Sequence, residues 1–223
     1  MTYKSVVFIG SHPDDIVAVA GTFLLLRQKG FAIHNFCLSH GEKGSSDPNI
    51  GALRSAEEQK VSELLGADLK FFDQPDGAIY AGREVCSAIA LELAKIRPVA
   101  VFTAWPFDKP DHTAAYTITH KALHLADLYW TTEFYMTQVD PRGHMLKAEL
   151  YVNVSKVFPQ IREIASCYSS HWNENLINYF LDFKRLFGRR CWCDYAEGFM
   201  TPVPLVNERW ERKAEVGRLL IDL

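Results

Sequence analysis

The sequence predicts an α/β fold: a single-domain, Rossmann-like three-layer sandwich with a mostly parallel sheet. Short apolar runs such as residues 5–10 are typical of strands buried on both faces. Helical segments of about a dozen residues separate these runs. Because strands alternating with helices of this length require right-handed crossovers, the pattern favours a doubly wound sheet.

Residues that end helices and strands delimit the predicted elements. Gly10 ends the first apolar run, Gly30 and Gly66 follow helical segments as left-handed caps, and Pro98 stops the helix before it. The predicted strands are residues 5–10, 31–39, 69–72, 99–104, 133–138 and 150–154. The predicted helices are residues 17–29, 52–65, 84–96, 113–127, 158–166 and 176–186.

The chain shows no internal repeat or linker, so we expect residues 1–223 to form one domain. Its 223 residues are 48% hydrophobic, which is ample for one core. Residues 156–223 are expected to form a largely helical C-terminal part packed on the sheet. Its aromatic residues are expected to pack there: Trp172, Tyr179, Phe180, Phe183, Phe187 and Trp192.

The amino-acid composition indicates which partners the protein can bind and in which cellular compartment it is expected. A formal charge of −3, a pI near 6.2 and scattered basic residues argue against nucleic acid as a partner. We expect no membrane span, because no stretch reaches the roughly 20 apolar residues required, and no signal peptide is evident. The five cysteines include the tightly spaced Cys191-Trp192-Cys193, and we interpret all five as reduced. We therefore expect a cytoplasmic protein.

The segment Ser11-His12-Pro13-Asp14-Asp15 places an imidazole and two adjacent carboxylates at the carboxyl end of the first strand. Open α/β sheets bind ligands at this edge. Adjacent residues in a turn project in different directions, so one carboxylate could bind a metal while the other faces the metal's water. Taken alone, the aspartates could equally cap the following helix.

A second cluster, Phe107-Asp108-Lys109-Pro110-Asp111-His112, follows the predicted strand 99–104 and lies at the same sheet edge. Two histidines and one carboxylate leave a zinc ion with an open coordination position, as catalytic zinc requires. Zinc acidifies the water held there, and Asp14 is our candidate for the general base that takes its proton. Asp111 could orient an imidazole.

Together these residues resemble the LmbE/PIG-L-like N-acetylglucosaminyl deacetylase family. The resemblance rests on H-P-D-D after an N-terminal strand and P-D-H about a hundred residues later. It extends over nearly the whole chain through further short segments. These are Gly41-Glu42-Lys43-Gly44, Arg54-Ser55-Ala56-Glu57-Glu58, Leu65-Gly66, Pro75-Asp76-Gly77 and Tyr195-Ala196-Glu197-Gly198-Phe199.

The resemblance implies an enzyme that removes acetyl from an amino-sugar conjugate with zinc (Zn²⁺) as cofactor. It implies zinc ligands at His12, Asp15 and His112, and a general base at Asp14. It also implies substrate contacts at Arg54 and Asp76, whose side chains suit oxygen acceptors and sugar hydroxyls respectively. Some relatives are oligomers, so the resemblance leaves a homo-oligomer possible.

Three positions depart from the family pattern. Lys109 stands where relatives usually have a histidine that stabilises the oxyanion or protonates the leaving amine. An ammonium can stabilise an oxyanion but is a poor proton shuttle near neutral pH. Phe107 and Ile16 replace a tyrosine of some relatives and a common glutamate. His40, His144 or His171 could supply the missing imidazole, although a structural or exposed role is favoured for each.

Two other interpretations stay open besides amino-sugar deacetylation. The protein could be a zinc hydrolase of another small N-acyl compound, or a catalytically weakened sugar-binding protein. His120 and His124, four residues apart on a predicted helix, favour a surface or packing role over metal binding. The sequence has neither the P-loop ending nor the G-x-G-x-x-G of nucleotide-binding folds.

Overall fold

Seven strands form one mixed sheet in the structure, a computed structural model that describes residues 4–142, 145–202, 218–221 and 223. The strands are β1 (Ser5–Gly10), β2 (Ala32–Cys37), β3 (Ala67–Phe71), β4 (Ala100–Ala104), β5 (Glu133–Thr137), β6 (Leu150–Asn153) and β7 (Ala196–Met200). Their order across the sheet is β3-β2-β1-β4-β5-β7-β6. Neighbours from β3 to β5 pair in parallel, whereas β7 runs antiparallel to β5 and β6.

Helices cover both faces of this sheet and complete the three layers. They are α1 (Ala20–Gln28), α2 (Ile50–Leu65), α3 (Arg83–Ile96), α4 (Pro110–Leu125), α5 (Phe158–Ser166), α6 (Glu174–Arg190) and α7 (Arg218–Ile221). One core cluster contains residues of α1, α5 and α6, and the other contains residues of α3 and α4. The predicted fold, a single α/β domain with a mostly parallel sheet, is confirmed.

Strand β1 is buried on both faces, as its continuous apolar run predicted. Val6 and Phe8 pack into one core cluster, while Val7 and Ile9 pack into the other. The period-2 alternation of strand side chains divides consecutive apolar residues between the two layers. The strand therefore lies at the centre of the molecule, and its carboxyl end opens at the sheet edge.

Strand β7 was not predicted from the sequence. Its Glu197 and Gly198 belong to residue types that are depleted in strands. Tertiary contacts override that preference, because Glu197 is 1% exposed and its carboxylate lies 2.6 Å from Lys184 Nζ. A side chain at 198 would meet Ala148 and Phe187, so glycine fits the close packing there.

The C-terminal part has the expected helices α5 and α6, together with strand β7. Trp172, Phe180 and Phe187 are buried as predicted, whereas Tyr179 is 45% exposed, contrary to the prediction. The prediction for Trp192 is wrong, because its side chain is 97% exposed and its φ of 62° lies in the left-handed region. Trp192 lies in a turn that follows α6. In this turn the backbone N–H groups of Cys191 and Cys193 both donate to the Gly188 carbonyl.

Three simpler points concern cysteines, helices and the two histidines of α4. All five cysteines carry free thiols, and the Sγ atoms of Cys191 and Cys193 lie 3.4 Å apart. Within the described part of the chain, none of the helices combines the length and apolar character needed to cross a membrane. His124 stacks on the ring of Tyr129 and His120 meets the same ring edge-on, in agreement with the packing role.

Candidate metal centre and active site

The turn after β1 carries the first group of site residues. Asp14 has a φ of 101°, a left-handed conformation that costs energy for a residue with a Cβ. Its backbone N–H donates to Glu58 Oε2 at 3.0 Å, which holds the turn in place. A 3₁₀ helix (Asp15–Val19) then leads into α1. This geometry turns the side chains of the two adjacent aspartates toward different partners.

Asp15 lies between the two histidines of the predicted metal site. Its Oδ1 atom is 3.4 Å from His112 Nε2 and 3.9 Å from His12 Nδ1. The Oδ2 atom accepts hydrogen bonds from the backbone N–H groups of Ser11 and His12. His12, Asp15 and His112 offer ligand atoms that all lie within 4.8 Å of one another. The structure therefore brings two imidazole nitrogens and one carboxylate to a single point.

Carboxylates also face the other nitrogen of each histidine. His12 Nε2 lies 3.1 Å from Asp111 Oδ2 and 3.0 Å from Asp76 Oδ1. His112 Nδ1 lies 3.0 Å from Asp108 Oδ1, although the ring N–H is not aligned for a hydrogen bond. Metal-binding histidines commonly present their second nitrogen to a carboxylate in this way. The donor set and its surroundings both suit a divalent metal such as zinc.

The acidic surroundings change the protonation of these residues. Burial opposes the charge on His12, but Asp111, Asp76 and Asp15 raise its pKa to about 9. Burial likewise opposes the charge on His112, but Asp15 and Asp108 raise its pKa to about 10. Burial alone would raise the pKa of Asp15, yet the two histidines lower it. A metal must displace protons from both imidazoles to bind here.

Asp14 lines the same cavity as the three metal-ligand candidates and has hydrogen-bonding partners of its own. Its Oδ2 accepts a hydrogen bond of 2.7 Å from Trp172 Nε1, and its Oδ1 lies 3.4 Å from Arg54 Nη2. Burial raises the pKa of Asp14, while the charge of Arg54 and the Trp172 hydrogen bond act in the opposite direction. A carboxylate with these neighbours can remain ionised and accept a proton.

An open cavity of about 200 Å³ lies above this centre. Its floor includes His12, Asp14, Asp15 and His112. Charged and aromatic side chains from six other segments line the rest of the cavity. They are Lys43, Arg54, Asp76, Lys109, Asp140, Arg142, His171 and Trp172. The cavity gives a small molecule access to both the candidate metal ligands and the Asp14 carboxylate.

The sequence profile described as "PIG-L: GlcNAc-PI de-N-acetylase" matches residues 7–123, which is more than half of the chain. The chain belongs to the PIG-L family. The matched region contains the H-P-D-D turn, Arg54, Asp76 and the P-D-H segment at the start of α4. The family identified from the sequence is therefore confirmed, and several of its relatives are named as deacetylases or hydratases.

A curated relative of this PIG-L protein is 4-oxalmesaconate hydratase of Pseudomonas putida. The two are 29% identical over 111 residues, a match that covers 45% of this chain and 43% of the hydratase. The match thus spans less than half of the relative's length.

Solved structures with the same fold cover nearly all of the chain. The conserved protein TT1542 from Thermus thermophilus is 25% identical, with a TM-score of 0.80 and coverage of 94% and 99% of the two chains. The hydratase GalB from Pseudomonas putida KT2440 is 22% identical, with a TM-score of 0.77 and coverage of 93% and 99%. N,N'-diacetylchitobiose deacetylase from Pyrococcus horikoshii is 20% identical, with a TM-score of 0.76 and coverage of 88% and 83%.

The two residues expected to contact substrate lie in this cavity, each with protein partners of its own. Arg54 is 4% exposed and donates to the carbonyl oxygens of Pro13 and Gly41 as well as facing Asp14. Asp76 Oδ2 accepts the backbone N–H of Lys43, while its Oδ1 faces His12. Their substrate contacts stay predictions, and the structure adds a positioning role for both.

Lys109, where the family resemblance led us to expect a histidine, lines the cavity. Its ammonium contacts the Asp140 carboxylate, and its side chain is 55% exposed. Of the histidines considered as substitutes, His171 lines the cavity, whereas His40 bonds Ser55 and Asp73 instead. His144 lies outside the described residues. The role of Lys109 at an oxyanion stays a prediction.

Sequence reasoning missed several residues that shape the site. Trp172 was expected to pack in the core, and it does so while also donating to Asp14. Glu58 appeared in the family segment without a role, yet it accepts hydrogen bonds from Asp14 N, Asn35 and Tyr168. Arg142 carried no signal in the sequence. These contacts join segments far apart in the chain, which periodicity and short motifs do not reveal.

Proposed function

We propose that this protein is a zinc-dependent hydrolase that removes the acetyl group from an N-acetylglucosamine-containing conjugate. The observation that carries the proposal is the meeting of His12, Asp15 and His112 at the floor of an open cavity, with the Asp14 carboxylate beside them. His12, Asp15 and His112 would hold the metal. Zinc bound there would polarise the acyl carbonyl and acidify the attacking water.

Asp14 is the proposed general base. It would take a proton from water as the water oxygen bonds to the carbonyl carbon, and then deliver that proton to the departing nitrogen as the C–N bond breaks. The products are acetate and a free amine. Arg54 supports this role because its charge, like the Trp172 hydrogen bond, favours the ionised form of Asp14.

Other residues have supporting roles in the proposal. Asp111 would orient the His12 ring through the contact to Nε2. Asp76 and Arg54 would contact sugar oxygens at the cavity wall, and Lys109 would add positive charge near the developing oxyanion. The amino-sugar substrate would enter as a small molecule. A cytoplasmic location, which five free thiols favour, is part of the same proposal.

The decisive experiment measures acetate release from a panel of N-acetylglucosamine conjugates by the zinc-loaded protein. Asp14→Asn and a chelator-treated sample serve as the two controls. We expect release by the wild type and a loss of about 100-fold or more in kcat/KM for Asp14→Asn, the usual contribution of a general base. Zinc content measured in parallel shows whether the variant still holds the metal.

The result also separates the alternatives that the sequence leaves open. Acetate or another acid released from a non-sugar N-acyl compound alone would indicate a hydrolase with a different substrate. Saturable sugar binding without acid release from any compound would indicate a binding protein. Full activity of Asp14→Asn would exclude Asp14 as the base even if deacetylation is observed.

A second candidate function is hydration of an unsaturated carboxylate. The specific observation in its favour is the match to 4-oxalmesaconate hydratase, at 29% identity over 111 residues. The same floor could activate water for addition to a carbon–carbon double bond, with Asp14 moving the proton. Loss of the ultraviolet absorbance of a conjugated dienoate, without acetate release from the sugar panel, would favour this candidate over deacetylation.

A further inference from the structure

Four cationic side chains line the cavity together with four carboxylates, those of Asp14, Asp15, Asp76 and Asp140. The lining includes Lys43, Arg54, Lys109 and Arg142. Arg54 is buried against Asp14 and two carbonyl oxygens. By contrast, the side chains of Lys109 and Arg142 are 55% and 56% exposed. A ligand entering the cavity therefore meets these two cations at its edge.

Lys109 and Arg142 share one carboxylate, that of Asp140. Arg142 binds it with both Nε and Nη2, each at 2.9 Å, and Nη2 contacts the same Oδ2 atom as the Lys109 ammonium. The Asp140 side chain is 4% exposed, so a buried carboxylate holds the Lys109 and Arg142 head groups. Two exposed positive charges therefore share one buried carboxylate at this position.

The anchor is itself tied to the metal centre. The backbone N–H of Asp140 donates to Asp108 Oδ2 at 3.1 Å, and Asp108 Oδ1 lies 3.0 Å from His112 Nδ1. The Gln138 side chain closes the same loop, donating to the Asp140 carbonyl and accepting the Leu146 N–H. The carboxylate that both cations contact therefore belongs to a residue linked through Asp108 to the candidate metal ligand His112.

Both cations retain hydrogen-bonding capacity beyond Asp140. A guanidinium has five N–H donors, and Asp140 uses two of them on Arg142. The Lys109 ammonium has three N–H donors, and its contact with Asp140 is to a single oxygen atom, Oδ2. Two adjacent exposed cations, a shared anchoring carboxylate and further donors together suit the binding of a carboxylate or phosphate group.

We propose that Lys109 and Arg142 bind an anionic group of the substrate, a carboxylate or a phosphate, at a distance from the acyl group that reacts. This inference rests on the proposed function and adds that the amino-sugar conjugate is negatively charged. It also gives a physical reason for lysine at position 109. In this assignment the ammonium acts in recognition, held by Asp140, more than in stabilising the oxyanion.

The test compares three N-acetylglucosamine compounds: the neutral methyl glycoside, the 1-phosphate and a carboxymethyl glycoside. Zinc-loaded wild type, Lys109→Met and Arg142→Gln are assayed for acetate release, with Arg189→Gln as an exposed control outside the cavity lining. We expect wild type to prefer one or both anionic compounds. The preferred compound shows whether phosphate or carboxylate is the group bound.

In Arg142→Gln we expect the ratio of kcat/KM for the anionic over the neutral compound to fall by about 10-fold or more, through KM. This is the usual size of a lost charge-assisted hydrogen bond. Raising the salt concentration should lower the same ratio in the wild type. An equal fall of kcat on all three compounds in Lys109→Met would overturn the proposal in favour of an oxyanion role.

A binding measurement separates this inference from the proposed function. Calorimetric titration of the chelated proteins with the 1-phosphate and the carboxymethyl glycoside needs no turnover. Binding that weakens in Arg142→Gln but not in Arg189→Gln, without acetate release by the wild type, would support the anion site and refute deacetylation. Acetate release with no preference for charge, and binding equal in both variants, would refute the anion site alone.

Discussion

The indole N–H of Trp172 donates a 2.7 Å hydrogen bond to the carboxylate of Asp14, across 158 positions of the sequence. Trp172→Phe keeps a ring in the core but removes this donor. Because the donor favours the charged carboxylate, its loss should raise the pKa of Asp14. We expect kcat/KM to fall by about 10-fold and the acid limb of its pH profile to move to higher pH.

The matched control for this prediction is Trp192→Phe, since Trp192 is almost fully exposed and does not line the cavity. Its pH profile should coincide with that of the wild type. An unshifted acid limb in Trp172→Phe would show that the hydrogen bond does not tune Asp14.

Metal binding gives a prediction that needs no substrate. Equilibrium dialysis should find about one zinc ion per wild-type chain, and His112→Gln or Asp15→Asn should lose it. Zinc at about 100 times its Kd should stabilise the wild type by about 2.7 kcal/mol, seen as a rise in Tm that a chelator reverses. His40→Gln should behave as wild type, because His40 bonds Ser55 and Asp73 away from the centre.

A buried ion pair beneath the active-site turn should matter for stability. Lys184 and Glu197 are both almost fully buried, and Lys184 also donates to the carbonyls of Val17 and Ala18. Lys184→Met leaves the Glu197 charge without its partner, so we expect a loss of about 3–5 kcal/mol in urea denaturation. Lys95→Met, which breaks an exposed contact to Glu92, should cost less than about 1 kcal/mol.

The double variant Lys184→Met/Glu197→Gln provides the second half of this test. It should recover part of the loss, because no uncompensated charge is then buried. If the double variant is as unstable as Lys184→Met, the loss of stability is due to lost packing and not to an unpaired buried charge.

The buried carboxyl group of Glu58 should make the free energy of unfolding depend on pH. Burial raises its pKa to about 7 against an ordinary 4.5, even though Tyr168, Asn35 and Asp14 N donate to it. The folded protein therefore holds a proton that the unfolded chain releases, and this contribution is present below pH 4.5 and lost as the pH rises through 7. Glu58→Gln cannot ionise, so it lacks this dependence.

The measurement is the free energy of unfolding of metal-free wild type and Glu58→Gln from about pH 4.5 to about pH 8. The difference, wild type minus variant, should decrease by about 3 kcal/mol across this range. A constant difference would show that Glu58 has the same pKa in the folded and unfolded chains.

Much of the fold could be predicted because it depends on residues that are close together in the sequence. The apolar run of β1, the caps at Gly66 and Arg97-Pro98, and the alternation of elements depend on neighbours in sequence, and the structure contains each of them. The short motifs also predicted that His12 and His112 would converge, because parallel strands β1 and β4 end at the same edge.

What the sequence did not reveal depends on contacts between distant segments. Strand β7 forms despite poor strand propensity, and its buried Glu197 pairs with Lys184 of α6. Asp140 contacts Lys109, which lies in a different loop. No periodicity encodes such pairings, since each residue alone is an ordinary polar side chain. Lys109 was therefore interpreted from the family pattern, and its contact with Asp140 was not predicted.

The position of β7 has a consequence for how the chain assembles during synthesis. β7 is the last strand in the described part of the chain, yet it lies between β5 and β6 and pairs with both. A nascent chain can build the parallel half of the sheet early, but β6 must wait for residues 196–200 to leave the ribosome. Until then, the edge of β5 stays open to pairing with another chain.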